Sequence, residues 1–347
     1  IIQLLSLIIC KMKLVGILMD AQKFQKLSMN IFTNKENSLF RFLQLDATSS
    51  FDDYSHLNVI IHKLTGLWSS HPDSIALAQR FNTFLERNSS IICIDPPTAI
   101  DRLLNRYEQY SCLENILHNS QYDNVVTVPP YCLLSPDSGE TTTILAEESS
   151  LRYPLICKPL IAHGAAAHDM KIVFNRKGLE DVKRPAVAQQ LINHDGVIYK
   201  VFIVGENTHI LKRNSIGNID SPDWGASISF SSITVSKEDS SIFLCEASSS
   251  TSKLGEAADL LSNQAIRSLL TNVSQYLRRS LKLDLLGIDL IPIVEDGDSF
   301  AAGDTGRWAV IDANYFPGYE NVPDFHHHLE NLIRGKLSLP LLATPSD

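Results

Sequence analysis

Two apolar segments toward the C-terminal end each carry one acid: Leu286-Gly287-Ile288-Asp289-Leu290-Ile291 and Trp308-Ala309-Val310-Ile311-Asp312-Ala313-Asn314. If the turn-rich stretch from Glu295 to Gly306 closes a hairpin with Val294 opposite Arg307, antiparallel pairing sets Asp289 against Asp312. Facing like charges destabilise a sheet. Two acids in that position, with the amide oxygen of Asn314 beside them, point to a hard cation on oxygen ligands. Mg²⁺ is the usual choice when nucleotide phosphates complete the shell. The alternative is a pair of carboxylates at solvated strand ends.

Basic residues supply the complementary charge. Lys158 lies inside the apolar strand Leu155-Ile156-Cys157-Lys158-Pro159-Leu160, where an ammonium is costly unless it reaches an anion. A lysine snorkelling from an edge strand is the other reading. Lys200 sits in the alternating run Val197–Val204 and points with Ile198 and Phe202 toward the side expected to be buried. Arg213 and Ser215 follow on the next strand and its exit. Between them, Ala162-His163-Gly164-Ala165-Ala166-Ala167-His168 is a loop of small residues that lets a ligand approach closely, with two imidazoles able to contact phosphate or hydroxyl. Two such histidines also fit an ordinary surface loop. The triplet His326-His327-His328 is expected on a solvated helix face, because consecutive helical residues point in different directions.

Other chemistries are excluded. The chain has no Gly-x-Gly-x-x-Gly and no Gly-x-x-x-x-Gly-Lys loop, so a nucleotide would need another scaffold. Protein-kinase signatures, a Ser-His-Asp ordering and a thiolate-nucleophile context are equally absent from the sequence.

The 347 residues exceed one typical core and suggest two or three packed units. A net charge of −9 argues against a broad nucleic-acid surface. The charge is uneven, however: residues 151–213 hold ten Lys or Arg against five Asp or Glu, and residues 286–324 hold one Arg against eight acids. A basic wall could thus face an acidic one across phosphates and a cation. Six scattered cysteines, without metal-ligand spacing, read as reduced thiols in a cytoplasmic protein. The apolar run Ile1–Cys10 is too short to span a bilayer and lacks signal-peptide flanks, and residues 1–11 are expected to precede the native start at Met12.

These residues need elements to hold them. A strand at Met12–Met19, a helix marked by Phe24, Leu27 and Ile31, strands at Asn58–His62 and Ile91–Asp95, and helices near 74–87 and 98–119 predict a small parallel α/β domain over residues 12–97. Residues 120–150 read as a surface connection. Strands at Leu155–Leu160, Lys171–Phe174, Ala186–Leu191, Val197–Val204 and His209–Lys212 predict an antiparallel-rich α+β region. A Ser-rich loop from Ser215 to Ser262 and a helix from about Ser262 to Lys282 precede the acidic hairpin.

The residues in this order resemble the inositol-tetrakisphosphate 1-kinase, or inositol 1,3,4-trisphosphate 5/6-kinase, family. The resemblance is carried by Ile61-His62-Lys63-Leu64-Thr65, Ile94-Asp95-Pro96, Ile100-Asp101-Arg102 with Asn105-Arg106, Cys157-Lys158-Pro159, Ala162-His163-Gly164, Ile192-Asn193-His194, Tyr199-Lys200-Val201-Phe202, Gly287-Ile288-Asp289 and Val310–Asn314 with Phe316-Pro317-Gly318-Tyr319-Glu320. It runs from about Lys13 to Ile333. It implies an ATP-grasp fold, with an N-terminal parallel α/β domain on the inositol phosphate side, a central domain over 98–192 and a C-terminal domain over 193–340 that carries the Mg²⁺ site. It further implies Arg106, Lys158, Gln189, Arg213, Ser215, Ser232 and Ser236 at the nucleotide, and Asp289, Asp312 and Asn314 around two Mg²⁺ ions. Lys23, Lys63, His163, Gly164, His168, Lys200, Asn314 and Gly318 are implied at the inositol phosphate, with Lys200, His163 and His168 nearest the transfer.

The implied reaction moves the γ-phosphate of ATP to the 1-OH of inositol 3,4,5,6-tetrakisphosphate or to the 5- or 6-OH of inositol 1,3,4-trisphosphate. The implied protein is a cytoplasmic monomer with access to the nucleus. A carboxylate–amine ligase and a non-catalytic inositol phosphate sensor are the competing functions. Departures from the family pattern are the alanines at 165–167 where relatives carry polar side chains, Asn214 in place of a proline, and a long loop at 295–306.

Overall fold

The segment starting at Lys13 is apolar almost throughout, as a strand covered on both faces requires. In the computed structural model, which describes residues 12–33, 39–64, 72–136, 151–219, 225–235, 260–293 and 305–343, it becomes β1 (Lys13–Met19). It joins β2 (Phe40–Gln44), β3 (Val59–Lys63) and β4 (Ile92–Ile94) in a parallel sheet of order β2-β1-β3-β4. From β1 the chain goes to β2 on one side and then crosses to β3 on the other. The carboxyl ends at Met19, Gln44 and Lys63 therefore flank a topological switch point, where open parallel sheets form a crevice.

Helix α1 (Ala21–Lys26), capped by Asp20, follows β1, and α2 (Pro72–Arg87) precedes β4. α1 is shorter than the apolar spacing suggests. Leu27 closes it, Ser28 turns the chain at φ 51°, and the expected core residue Ile31 is 50% exposed while Met29 and Phe32 are buried.

The single helix expected over 98–119 is two, α3 (Pro97–Leu104) and α4 (Arg106–His118). Asn105 between them is extended, bridges to Ile161, and uses its side-chain oxygen to cap the amides of Tyr107 and Glu108. A residue that can cap and pair in extended form competes with helix continuation. This break starts a new helix at Arg106, with consequences at the site.

The rest of the chain builds two five-stranded sheets. The strands are β5 (Val126–Thr127), β6 (Tyr131–Leu134), β7 (Leu155–Pro159), β8 (Asp169–Val173), β9 (Ala186–Gln190), β10 (Val197–Val204), β11 (Asn207–Asn214), β12 (Ser227–Ser231), β13 (Leu285–Ile293) and β14 (Arg307–Tyr315). Their orders are β12-β8-β7-β9-β6 and β11-β10-β13-β14-β5.

Three strands fall where the sequence pattern suggests loops. β5 and β6 lie in the connection over 120–150, and β12 lies in the Ser-rich stretch. β12 alternates serine with Ile228 and Phe230, which suffices when a partner strand, here β8, supplies the hydrogen bonds. β5 and β12 each join the sheet on the far side of the expected domain boundary, so the two sheets exchange strands. Residues 1–11, Val294 and Ser236 lie outside the described residues.

Helix α5 (Gln264–Leu281), capped by Asn263, lays Ile266, Leu270, Val273 and Leu277 into the main core with Tyr199 and Trp308. The last two meet edge to face at 5.3 Å. Helix α6 (Phe325–Lys336) closes the chain. Its three histidines are half-buried rather than solvated, and the His326 ring bonds the Leu27 carbonyl at 2.9 Å.

The N-terminal sheet is fixed to the start of the hairpin. The buried Asp95 carboxylate accepts the amides of Asp284 and Leu285 at 2.7 and 2.9 Å, and the Tyr315 hydroxyl donates to the His62 carbonyl at 2.6 Å. Among the described residues no helix is long and apolar enough to cross a membrane.

Candidate active site

Lys200, Asp289 and Asp312 form one row across three adjacent strands: Lys200 of β10 faces Asp289 of β13, which faces Asp312 of β14. Residues opposite one another in a sheet share a face, so all three side chains project together. The expected pairing of the acids is present, although the hairpin reaches it by another register. At its closed end Ile293 faces Arg307 and Leu290 faces Val310, and the register shifts by one residue before Asp289 meets Asp312. Ile311 is the extra residue, a β-bulge that the sequence pattern does not signal.

The row is charged and enclosed. The Lys200 Nζ donates to the Asp289 Oδ1 at 2.9 Å, and the Asn314 Nδ2 donates to the Asp312 Oδ2 at 3.0 Å. The other Asp312 oxygen is buried with no hydrogen-bond partner. Burial alone would raise the Asp312 pKa, but Arg106, Lys158, Lys200 and the Asn314 bond outweigh it and hold the carboxyl below its ordinary value. Gly287 keeps the row open, since a Cβ there would lie 3.0 Å from Pro317 and 3.6 Å from the Lys200 Cε.

A cavity of about 280 Å³ lies between the two five-stranded sheets. Its apolar lining includes Ile156, Met170, Leu191, Ile198, Phe230, Ile291 and Ile311. Its polar lining includes Arg106, Lys158, His168, Gln189, Lys200, Arg213, Ser215, Ser232, Asp289, Asp312 and Asn314. Such a cavity, with apolar walls and convergent charge, suits a ligand that joins an apolar part to anionic groups.

Lys158 is on the central strand β7 and is buried, which removes the snorkelling alternative. Its Nζ donates to the Tyr110 hydroxyl at 2.8 Å, the Gln189 Oε1 at 2.9 Å and the Ile311 carbonyl at 3.0 Å. Burial pulls its pKa down to about 8, against the opposing pull of Asp312. The Gln189 Nε2 is buried and unpartnered.

Ser215 meets the buried His194, whose Nε2 lies 2.8 Å from the serine oxygen while its Nδ1 lies 2.6 Å from the Ile192 carbonyl. Burial keeps His194 neutral, so the ring donates from Nδ1 and accepts from the serine hydroxyl. The Arg213 guanidinium packs 5.5 Å from the Phe202 ring centre.

Arg106 opens α4, and its guanidinium donates to the carbonyls of Pro159, Ile161 and Ala167 at 2.7, 3.2 and 3.1 Å. It thus ties down the base of the Gly164 loop, and its Nε remains buried without a partner. In that loop Gly164 has φ +82°, and a Cβ added there would meet open space, with no atom within 4 Å. His168 lies 3.0 Å from the Ser232 hydroxyl. Burial lowers the pKa of both His163 and His168, helped by Lys23 at the first and Arg106 at the second, so both rings are neutral at pH 7.

A second concavity opens at the switch point of the N-terminal sheet, lined by Met19, Asp20, Lys23, Gln44, Asp46 and Lys63. Lys23 pairs with Asp20 at 3.1 Å. Lys63 reaches the Pro317 carbonyl at 3.5 Å and lies over the Phe316 ring, and burial followed by Lys23 pulls its pKa down to about 8. Gly318 is covered by the Glu320 carboxylate, which also pairs with Lys26 at 3.1 Å. Lys63 thus links this concavity to the Pro317-Gly318 backbone, and Lys23 lies close enough to His163 to act on its charge.

The fold family and the descent of the chain are settled by comparison with known proteins. The pre-ATP-grasp domain of inositol 1,3,4-trisphosphate 5/6-kinase matches residues 14–100, and the ATP-grasp domain of the same enzymes matches residues 120–335. The chain belongs to the inositol 1,3,4-trisphosphate 5/6-kinase family. It is 35% identical to the inositol-tetrakisphosphate 1-kinase of Xenopus laevis, over 95% of this chain and 80% of that one. It is 32% identical to that of Danio rerio, over 94% and 81%.

Solved structures confirm the ATP-grasp architecture. N5-carboxyaminoimidazole ribonucleotide synthetase from Thermotoga maritima aligns with a TM-score of 0.56 at 14% identity, covering 96% of this chain and 78% of that one. A RimK-domain ATP-grasp protein from Sphaerobacter thermophilus gives 0.51 at 10% identity, covering 93% and 98%. At these identities the likeness is one of fold.

Two residues that support the site do not stand out in the sequence. Gln109 and Tyr110 of α4 reach the backbone of β14 on either side of Asp312. The available signal is polar Arg106, Gln109 and Tyr110 recurring at helical spacing on a buried face.

Proposed function

We propose that this protein is an ATP-dependent inositol phosphate kinase, transferring the γ-phosphate of ATP to a free hydroxyl of inositol 3,4,5,6-tetrakisphosphate or inositol 1,3,4-trisphosphate. The observation that carries this reading is the Lys200–Asp289–Asp312 row facing a cavity whose far wall is Lys158, within a chain of the 5/6-kinase family.

Asp289, Asp312 and Asn314 fit Mg²⁺. All offer oxygen to a hard cation, and the orphaned Asp312 oxygen is what such an ion would satisfy. Among the described residues no three His, Cys, Asp or Glu side chains cluster as a metal site, so phosphate oxygens and water would complete the shell. When bound, Mg²⁺ would neutralise charge on the transferring phosphates.

The chain's own residues do the rest. Lys158 and Arg213 hold nucleotide phosphates, and Gln189, Ser215 and Ser232 border the nucleotide slot. Lys23 and Lys63 hold acceptor phosphates at the switch-point crevice, favouring a polyanion over the amine or carboxylate of a ligase substrate. Lys200 stands between the two groups of residues and orients the acceptor toward the phosphate. Neutral His163 or His168 can take the hydroxyl proton, although positioning and charge dominate such transfers.

The test is incubation with ATP, Mg²⁺ and a panel of inositol phosphates, with products resolved by isomer. Phosphorylation of the tetrakisphosphate or the trisphosphate is expected. No product from any member of the panel would return the ligase and the sensor to the front.

A further inference from the structure

The acidic pair depends on a one-residue irregularity. From its closed end the hairpin pairs Ile293 with Arg307, Pro292 with Trp308 and Leu290 with Val310. Continued without interruption, that register would set Asp289 against Ile311 and turn Asp312 to the opposite face, since a slip of one residue inverts every side chain. The bulge at Ile311 prevents this, and a bulge leaves backbone groups that need partners.

The neighbouring strand does not supply them. β5 pairs with β14 only at Trp308 and Ala309, so beyond Ala309 no strand among the described residues pairs with that edge of β14. Helix α4 takes the place of one. The Gln109 Nε2 donates to the Ala313 carbonyl at 2.7 Å while its Oε1 accepts the Ala313 amide at 3.2 Å, as a paired strand would. The Tyr110 hydroxyl donates to the Ile311 carbonyl at 3.0 Å and accepts from the Lys158 Nζ at 2.8 Å. Both side chains are buried, and the Gln109 amide is further held by the Leu103 carbonyl at 3.1 Å. The residues immediately before and after Asp312 are thus gripped from one helix.

We propose that Gln109 and Tyr110 are positioning residues which lock the Ile311 bulge and so hold Asp312 opposite Asp289. The same grip fixes the Lys158 ammonium through Tyr110, so one helical turn aligns the acidic wall with the cation across from it. This inference rests on the proposed reading of Asp289 and Asp312 as ligands of a divalent ion.

The experiment uses the full chain with Mn²⁺ as the probe, in the presence of ADP, and reads free Mn²⁺ by electron paramagnetic resonance. Gln109→Met keeps the side-chain length and removes all three side-chain hydrogen bonds, two to Ala313 and one to Leu103. Tyr110→Phe removes only the hydroxyl. Each is expected to weaken Mn²⁺ binding about tenfold or more, the usual cost of losing a partner behind a metal ligand. ADP binding measured without metal is expected to stay near the wild-type value for Gln109→Met. Leu277→Ala in the core of α5 serves as a control that lowers the melting temperature and leaves Mn²⁺ binding intact.

If Gln109→Met and Tyr110→Phe lower only the melting temperature and bind Mn²⁺ as tightly as the control, the proposal is overturned. Should one variant fail to fold, the other decides. Wild-type protein that binds no Mn²⁺ with ADP present would instead refute the metal reading, and this proposal with it.

Discussion

In the β13–β14 hairpin both acids are held, Asp289 by Lys200 and Asp312 by Asn314, and the backbone around Asp312 is held by Gln109, Tyr110 and Lys158. In the loop at Gly164 the anchoring stops at the base, where Arg106 holds Ile161 and Ala167, and the tip carries an exposed glycine and an imidazole nitrogen without a partner. A preorganised hairpin suits the proposed phosphoryl transfer, in which charge stabilisation requires fixed groups. An open loop suits the proposed role of admitting an acceptor and telling it from its isomers. On the proposed reading, the difference separates a fixed wall that holds charge from a looser wall that meets the acceptor.

The largest expected effect comes from the hairpin. Asp312→Asn removes one charge from the row and is expected to lower kcat by about 10³-fold. Full kinase activity of this variant at limiting Mg²⁺ would erase the contrast at its source. Lys158→Met deprives the opposite wall of a buried ammonium. Charged hydrogen bonds of this kind are worth roughly 1.5–3 kcal/mol, so KM for ATP should rise about 10–100-fold while KM for the inositol phosphate holds.

The loop should answer in the other substrate. Gly164→Ala meets no steric neighbour but strains a residue at φ +82°, ψ 177°, a conformation essentially confined to glycine, at a cost of about 1–3 kcal/mol. KM for the inositol phosphate is expected to rise about tenfold with KM for ATP unchanged. An equal rise in both would assign the loop to the nucleotide wall.

The smallest effect is in the pH dependence. Lys63 has its pKa pulled down to about 8, so it is charged below that pH and loses its proton above it. Acceptor KM should therefore climb several-fold as pH passes upward through about 8, and Lys63→Met should remove that inflection. A bound polyanion raises the lysine pKa, so the inflection belongs to the free enzyme. An unchanged profile in Lys63→Met would take Lys63 out of the acceptor site.

Much of this is legible in the chain, for identifiable reasons. The strands at Val197–Val204 and Ala186–Gln190, and the facing of Asp289 with Asp312, follow from apolar runs and antiparallel pairing, which are local and periodic signals. The bulge is not legible, because apolar periodicity does not mark where the register shifts, and the side chains that bond the backbone beside it, Gln109 and Tyr110, lie about 200 positions away. β12 escapes notice since its serines read as loop until β8 provides the ladder. The break at Asn105 is hidden for a similar reason: its bridge to Ile161 is a tertiary contact. Gln109 and Tyr110 carry no motif, and their meaning comes from the strand edge they cover. Ser236 lies outside the described residues, so its expected contact with nucleotide stays with the family resemblance.

The central claim is that the Asp289–Asp312 face holds the divalent ion for phosphoryl transfer. Anomalous diffraction from crystals grown with Mn²⁺ and ADP tests it most directly. A peak is expected within bonding distance of oxygens from both Asp289 and Asp312, and on the same side of the hairpin as Lys200. A peak bound away from this pair, with Asp312 still unligated, would contradict it.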